Sequence, residues 1–123
     1  MTNNRLTELN NLQVLEKFSK LAEQAGSAVL DSESNTANKA LKGLWAIEDM
    51  LKSSGSDARL QLLPLLDHKN RFVRYYAAQA LLALVPERAR AVIEWNAKYW
   101  FDALAGDARG LLRALDTGAY RPD

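Results

Sequence analysis

Residue types that could perform catalysis are sparse in this chain of 123 residues. His68 is the sole histidine, and the sequence contains no cysteine. Nucleophilic catalysis needs a nucleophile, a base and an orienting group within reach of one another, and no serine here occurs in a Gly-x-Ser-x-Gly motif. The neighbouring carboxylates Glu48 and Asp49 point to different sides of a helix, which favours two solvated charges over a paired acid and base. We therefore predict that the protein has no catalytic residues and is not an enzyme.

Metal and cofactor sites lack the residue patterns that they require. No carboxylate cluster with the spacing of metal ligands surrounds His68, and the absence of cysteine removes thiolate ligands. We interpret Asp67 and His68 as a turn dipeptide between two helices. The six glycines occur singly, so no glycine-rich loop is available to hold a phosphate group. The sequence predicts neither a metal nor a cofactor.

Composition places the chain among globular proteins. Hydrophobic residues make up 48% and charged residues 25% of the sequence, and the length suits a single domain over residues 1–123. Sixteen basic against fifteen acidic residues leave a net charge of +1, without the basic excess typical of nucleic-acid-binding proteins. No apolar run approaches the roughly 18 residues that span a bilayer, and the N-terminus does not resemble a secretory signal. We expect a cytoplasmic protein outside the membrane.

Apolar residues recur at intervals of three and four along six segments, which is typical of amphipathic helices. Thr7 is the predicted N-cap of the first helix, Asn70 that of the fourth, and Pro86 suits the first turn of the fifth. No segment alternates with a period of two, so no strand is predicted. The fold class is therefore all-α, with about six helices in three pairs, at residues 9–25, 35–52, 57–66, 71–85, 86–99 and 106–115.

The stretch LLPLLDHKNRFVRYYAAQALLAL, residues 62–84, has the pattern of one antiparallel helix pair with its turn. It resembles a HEAT repeat in its apolar helix end, the turn residue Asp67, the Val73–Arg74 pair that opens the second helix, and Ala77, Ala78 and Leu81. The resemblance implies an Asp67–Arg74 ion pair across the turn. It also implies that the helix pairs stack as a right-handed α-α superhelix of the HEAT/armadillo type.

The chain as a whole resembles a small bacterial family of uncharacterised domains with a HEAT/armadillo-like fold. This resemblance supports the fold class and carries no established activity. One segment, KYWFD at residues 98–102, departs from it. The resembling segments are Asn38–Lys39, LLPLLDHKNRFVR, the Ala77–Ala78 pair, PERA at residues 86–89, and AGDARGLLRALDTGAYRPD at residues 105–123.

A candidate protein-binding face lies on the fourth predicted helix. Arg71, Tyr75 and Gln79 are spaced four residues apart and so form one ridge, on a different side of the helix from the apolar stripe. Aromatic side chains and arginines concentrate at protein interfaces, which makes this ridge the predicted protein-binding site. A second aromatic cluster, Trp95 to Phe101, is more simply interpreted as packing for the last helix.

These observations favour a non-enzymatic module that binds another protein. Stoichiometric neutralisation of a toxin domain by an immunity protein is one such role, and an adaptor or regulatory role is equally compatible. One alternative is a nucleic-acid-binding HEAT-like protein, although the near-neutral charge argues against it. Another is a helical-repeat ligand-binding protein, with the Trp95–Phe101 cluster lining the pocket. The basic and aromatic residues that support nucleic-acid binding are Arg59, Lys69, Arg71, Arg74, Phe72, Tyr75 and Tyr76.

Overall fold

A computed structural model describes residues 10–123, and this part of the chain contains six α-helices and no strand. The all-α prediction is therefore confirmed. None of the helices between residues 10 and 123 combines the length and apolarity needed to cross a membrane. The elements are α1 (Asn11–Leu30), α2 (Ser34–Ser53), α3 (Ser56–Arg59), a 3-10 segment (Leu60–Asp67), α4 (Arg71–Leu81), α5 (Pro86–Tyr99) and α6 (Ala103–Thr117).

Helix α1 begins with a capping box at Asn10. The Asn10 side chain accepts a hydrogen bond from the Gln13 backbone N–H at 2.9 Å, and the Gln13 side chain accepts one from the Asn10 N–H at 3.0 Å. These bonds satisfy two backbone donors that a helix start leaves without partners. The predicted cap Thr7 lies outside the described residues.

Gly26 lies within α1 and allows the close approach of α4. A Cβ atom added at Gly26 would lie 2.2 Å from Cγ and 2.6 Å from Cβ of Phe72. Those atoms belong to the inner part of the Phe72 side chain, which cannot swing away as a flexible end group could. The absence of a side chain at Gly26 therefore lets the two helices pack against each other.

Gly26→Ala should lower the free energy of unfolding by about 1–3 kcal/mol, because the added methyl group overpacks this contact. This is a net loss, since alanine favours a helix over glycine by about 1 kcal/mol. Gly110→Ala in α6 is the matched control, because a Cβ there meets open space. Urea unfolding of the two variants measures the difference. Equal stabilities would mean that α1 and α4 are not in close contact at Gly26.

Helix α1 continues through Gly26 to Leu30 instead of ending at residue 25, and the boundaries of three other helices differ from the predicted ones for local reasons. The predicted third helix is a four-residue α3 followed by a 3-10 segment, because Pro64 lacks the N–H that an α-helix needs there. Helix α4 ends at Leu81, and Val85 is forced out of the helical conformation by the following Pro86. Helix α6 begins three residues earlier than predicted, because Asp102 caps it.

Helix α4 lies at the centre of the packing. The helices form the contacting pairs α1–α2, 3-10 segment–α4 and α5–α6, and α4 also contacts α1 and α5. Ala77 and Ala80 are buried in α4, as expected of residues at close helix contacts. Helix α1 additionally contacts the 3-10 segment and α6. The largest side chains of the core include Phe18, Leu44, Ile47, Leu51, Leu62, Val73, Tyr75, Leu81, Ile93 and Leu104.

The ion pair between Asp67 and Arg74 does not form. Arg74 Nη1 instead donates hydrogen bonds to the carbonyl oxygens of His68 at 2.7 Å and Lys69 at 3.1 Å. Asp67 ends the 3-10 segment with an exposed side chain, which lies 3.5 Å from Arg88 of α5. Arg74 therefore ties the turn to α4 through backbone acceptors rather than through the carboxylate.

Candidate functional site

The predicted ridge of Arg71, Tyr75 and Gln79 is largely covered by other parts of the molecule. Tyr75 has 0% exposure, and Arg71 and Gln79 are half-buried. The expectation that Tyr75 is exposed is therefore wrong. The reason is that α4 contacts the 3-10 segment, α1 and α5, so that seven of its eleven residues are buried.

Arg71 joins three helices through one guanidinium group. Its Nη1 lies 2.7 Å from Asp102 Oδ2, and its Nε donates to Asn96 Oδ1 at 3.0 Å. Asp102 also accepts a hydrogen bond from the Ala105 N–H at 2.9 Å, which caps α6. The hydrogen bond from Arg71 is the main reason that the pKa of Asp102 is held below its usual value of 3.8. The Arg71–Asp102 pair thus fixes the ends of α4, α5 and α6 relative to one another.

Tyr75 makes a second connection from α4 to α6. Its hydroxyl donates a hydrogen bond of 2.5 Å to Asp107 Oδ2. Burial, and then this hydrogen bond to a carboxylate, raise the pKa of Tyr75 well above its usual value of 10. The hydroxyl therefore keeps its proton and remains a donor over the ordinary pH range. Tyr75 has an internal structural role instead of a place on an open surface.

The second aromatic cluster is accessible to solvent. Trp95, Tyr99, Trp100 and Phe101, which we call the aromatic surface, are all exposed, with Phe101 at 88% and Tyr99 at 58%. The interpretation that this cluster packs the last helix is therefore wrong for Tyr99 and Phe101, which are the most exposed of the four. The physical reason is that α5 ends at Tyr99 and the chain continues in an extended conformation at Trp100, so the helix no longer holds the following side chains against the core.

Three residues of the aromatic surface, Trp95, Tyr99 and Trp100, contact one another or nearby cations. The Trp95 ring centroid lies 5.9 Å from that of Tyr99 and 6.3 Å from that of Trp100. The guanidinium carbon of Arg71 lies 4.0 Å from the Trp100 centroid, and that of Arg74 lies 5.0 Å from the Trp95 centroid. These distances suit cation–π attraction, which holds the rings in place.

Further basic groups surround the aromatic surface. The Lys98 ammonium lies 5.2 Å from the Tyr99 centroid. Arg109 Nη1 donates to the carbonyl oxygens of Ala97 at 2.9 Å and Trp100 at 3.3 Å, and so satisfies acceptors at the end of α5. The surface therefore combines exposed rings with nearby cations, one of which, Arg71, is paired with Asp102.

A groove of about 420 Å³ lies beside Trp95, between α4 and α5. Its walls are largely apolar and are formed by Arg74, Ala91, Val92 and Trp95. A groove of this kind could receive one apolar side chain of a partner. Among the residues that the structure describes, no group of three or more histidine and carboxylate side chains could hold a metal ion.

Comparison with known proteins identifies the family. Residues 12–116 match the family model described as a domain of unknown function, DUF2019. The chain belongs to this family. It is also similar to the crystal structure of the protein RPA1889 from Rhodopseudomonas palustris CGA009, with 31% identity and a TM-score of 0.86 over 96% of this chain and 98% of that one. No curated protein is significantly similar to the chain. The predicted membership of a bacterial family of uncharacterised domains is therefore confirmed.

Sequence reasoning missed three polar residues that shape this DUF2019 domain, namely Asn96, Asp102 and Asp107. Asn96 is fully buried and continues the inward stripe of Ala89 and Ile93, where a polar residue signals a buried hydrogen bond. Asp102 precedes a helical Ala-Leu-Ala run, which is a recognisable N-cap pattern. No local signal points to Asp107, because its partner Tyr75 lies 32 residues away.

Proposed function

We propose that this protein is a non-enzymatic module that binds another protein through the aromatic surface. The observation that carries this proposal is the exposure of four aromatic residues between positions 95 and 101, of which Trp95 contacts Tyr99 and Trp100, and Phe101 is 88% exposed. Tryptophan, tyrosine and arginine dominate the residues on which protein–protein affinity depends. Covering such rings removes apolar area from water, which is the main favourable term in association.

The support behind the rings favours binding as well. Trp95 and Trp100 contact the guanidinium groups of Arg74 and Arg71, and both arginines are themselves held by hydrogen bonds. Side chains that are already ordered lose less entropy when a partner covers them. The groove beside Trp95 supplies a recess for an anchoring side chain of the partner. Binding therefore centres on the end of α5, rather than on the ridge of Arg71, Tyr75 and Gln79.

We also propose that the three helix pairs form a right-handed α-α superhelix of the HEAT/armadillo type. The contacts within the pairs α1–α2, 3-10 segment–α4 and α5–α6 support this arrangement, as does the contact of α4 with α1 and α5. In repeats of this kind, exposed surfaces of successive pairs commonly bind proteins. Neutralising a toxin by stoichiometric binding, as immunity proteins do, is one role of such a module. Adaptor or regulatory binding is another.

A photoreactive amino acid at position 101 tests the proposal in the native cells. Position 12 is the matched control, because Leu12 is a large exposed apolar residue on α1. We expect a discrete protein adduct from position 101 that is absent from position 12. With that partner purified, Phe101→Ala or Trp100→Ala should weaken binding by about 2 kcal/mol, which is roughly a thirtyfold loss. Leu12→Ala should leave the affinity unchanged.

Two results would contradict the proposal. One is an equal yield of adducts from positions 101 and 12. The other is wild-type affinity in both aromatic variants, with folding confirmed by circular dichroism. Identification of the adduct by mass spectrometry then distinguishes a toxin domain from an adaptor target.

Nucleic-acid binding is a second candidate function, favoured by one observation. Four cations, Arg71, Arg74, Lys98 and Arg109, contact the aromatic surface or the backbone beneath it, and exposed rings can stack on bases. The charge of Arg71 is offset by Asp102, and the chain as a whole is nearly neutral. Fluorescence anisotropy with a labelled single-stranded oligonucleotide tests this candidate. Binding that weakens steeply with salt and is lost in Phe101→Ala would support it over protein binding.

A further inference from the structure

A separate pocket of about 300 Å³ lies where α1, α2, α4 and α6 meet. Its walls are mainly apolar, with aliphatic side chains from three helices and two aromatic rings. Binding sites for small molecules are typically concave, mostly apolar and fitted with a few polar groups. The lining residues are Val29, Leu41, Trp45, Tyr76, Gln79, Ala103, Leu104 and Asp107.

Trp45 is an unusual residue at this position on α2. Its neighbour Leu44 faces the core, whereas Trp45 is 53% exposed and contributes to the pocket wall. A tryptophan ring attracts cations more strongly than any other aromatic side chain. Tyr76 of α4 also lines the pocket and is nearly fully buried. The pocket therefore offers two ring systems, one on an exposed residue and one on a buried residue.

Asp107 is the sole charged residue among those that line the pocket. The Tyr75 hydroxyl donates to its Oδ2, which holds the carboxylate in position. In the described part of the chain, no basic side chain forms an ion pair with Asp107. The Asp107 side chain is exposed to solvent, so a ligand can reach the carboxylate, and a cation bound there would form an ion pair beside the apolar walls.

We infer that this pocket binds a small organic cation, in which an ammonium group is attached to a compact apolar body. The ammonium group would lie between the Asp107 carboxylate and the Trp45 ring, and the apolar body would contact Val29, Leu41 and Leu104. A volume of 300 Å³ accommodates about ten non-hydrogen atoms, taking about 30 Å³ for each water-sized group. Gln79 and Tyr76 add polar groups that can distinguish one such amine from another.

This inference does not depend on the proposed protein-binding function. The aromatic surface consists of Trp95, Tyr99, Trp100 and Phe101, and none of these residues lines the pocket. A ligand that binds only the folded chain also raises the thermal midpoint of unfolding. A small-molecule readout and a protein-binding readout can therefore succeed or fail separately.

Isothermal titration calorimetry with choline and with phenethylamine tests the inference on the full chain. The matched neutral probe is the carbon isostere of choline, in which a tert-butyl group replaces the trimethylammonium group. We expect a Kd between roughly 10 µM and 1 mM for at least one of the two cations, the range that suits a ligand of this size. The neutral isostere should bind at least about tenfold more weakly, because it gains neither the ion pair nor the cation–π contact.

Asp107→Asn is the decisive variant, because it removes the charge and keeps an acceptor for the Tyr75 hydroxyl. It should weaken cation binding about tenfold or more and leave the neutral isostere unaffected. Trp45→Leu provides a second variant, on an exposed side chain whose replacement the fold should tolerate, and it should weaken the cation as well. Asp57→Asn and Phe101→Ala are controls, since neither residue lines the pocket, and both should bind the cation as the wild type does.

Three outcomes would overturn the inference. The first is the absence of saturable heat with both cations up to about ten times the upper expected Kd. The second is equal affinity for choline and its neutral isostere. The third is wild-type cation affinity in both Asp107→Asn and Trp45→Leu. Loss of cation binding in Phe101→Ala would instead place the cation on the aromatic surface, which also contradicts the pocket assignment.

Discussion

Replacing Arg71 with methionine should lower the free energy of unfolding by about 3 kcal/mol, the order of magnitude for breaking a partly buried ion pair from one side. The side chains of Arg71 and Asp102 are only 10% and 26% exposed, so water compensates little for the lost partner. The substitution leaves the Asp102 carboxylate and the Asn96 amide oxygen without their guanidinium donor. It also removes the cation from the Trp100 ring, so the stability loss should be accompanied by a change in tryptophan fluorescence.

Arg90→Met is the matched control for this prediction. Arg90 forms ion pairs with Glu94 and Asp116, but these groups are more exposed, so its loss should cost at most about 1 kcal/mol. The double substitution Arg71→Met with Asp102→Asn should recover part of the loss, because it removes the stranded charge. Urea unfolding of the four proteins measures these differences. If Arg71→Met costs no more than Arg90→Met, Arg71 does not join the three helices as described.

Glu48 should make the protein less stable as the pH rises from about 4.5 to 7. Glu48 is partly buried, so its interpretation as a solvated charge is wrong. Burial, reinforced by neighbouring Asp49, raises the pKa of Glu48 from 4.5 to about 7, although Lys52 and Arg59 oppose the shift. Within this window the unfolded chain has released the Glu48 proton, whereas the folded protein still binds it. The free energy of unfolding therefore falls progressively until the pH passes the pKa of Glu48 in the folded protein. The loss is on the order of 2–3 kcal/mol and stays constant above that pH.

Glu48→Gln tests this pH dependence, because glutamine resembles the protonated carboxyl group. The variant should be more stable than the wild type at pH 8 by an amount on the order of 2–3 kcal/mol, and nearly equal to it at pH 4.5. Glu23→Gln, at an exposed position on α1, is the control and should keep the wild-type profile. Urea unfolding between pH 4.5 and 8 provides the measurement. A stability difference between wild type and Glu48→Gln that does not change with pH would refute the assignment.

Asp102 contributes to the pH dependence with the opposite sign and in a different range. Arg71 holds the pKa of Asp102 in the folded protein below its usual value of 3.8. The ionised Asp102 therefore stabilises the folded state at any pH above the pKa that Asp102 has in the unfolded chain. This stabilisation is lost as the pH falls through the folded pKa. The two carboxyl groups therefore act in separate windows, and the measurement above pH 4.5 reports mainly on Glu48.

The local structure of this protein follows from its sequence. The apolar intervals identify the helical segments, because a helix repeats its buried face every three to four residues wherever it packs. Asn70 caps α4 through hydrogen bonds to Phe72 and Val73, and Pro86 occupies the start of α5. Both are local effects that involve residues close in sequence. The all-α class is predicted for the same reason.

The tertiary structure alone decided which faces are open and which side chains meet. Tyr75 is buried because α4 packs against several other elements. Helical periodicity identifies one apolar side of a helix but does not predict how many other elements pack against it. Arg71 pairs with Asp102, 31 residues away, and Asp67 lies near Arg88 instead of Arg74. The exposure of Phe101 depends on how the chain leaves α5, and the pocket at Asp107 on where four helices meet. Periodicity and capping act between near neighbours in the chain, whereas these contacts are set by the packing of distant segments.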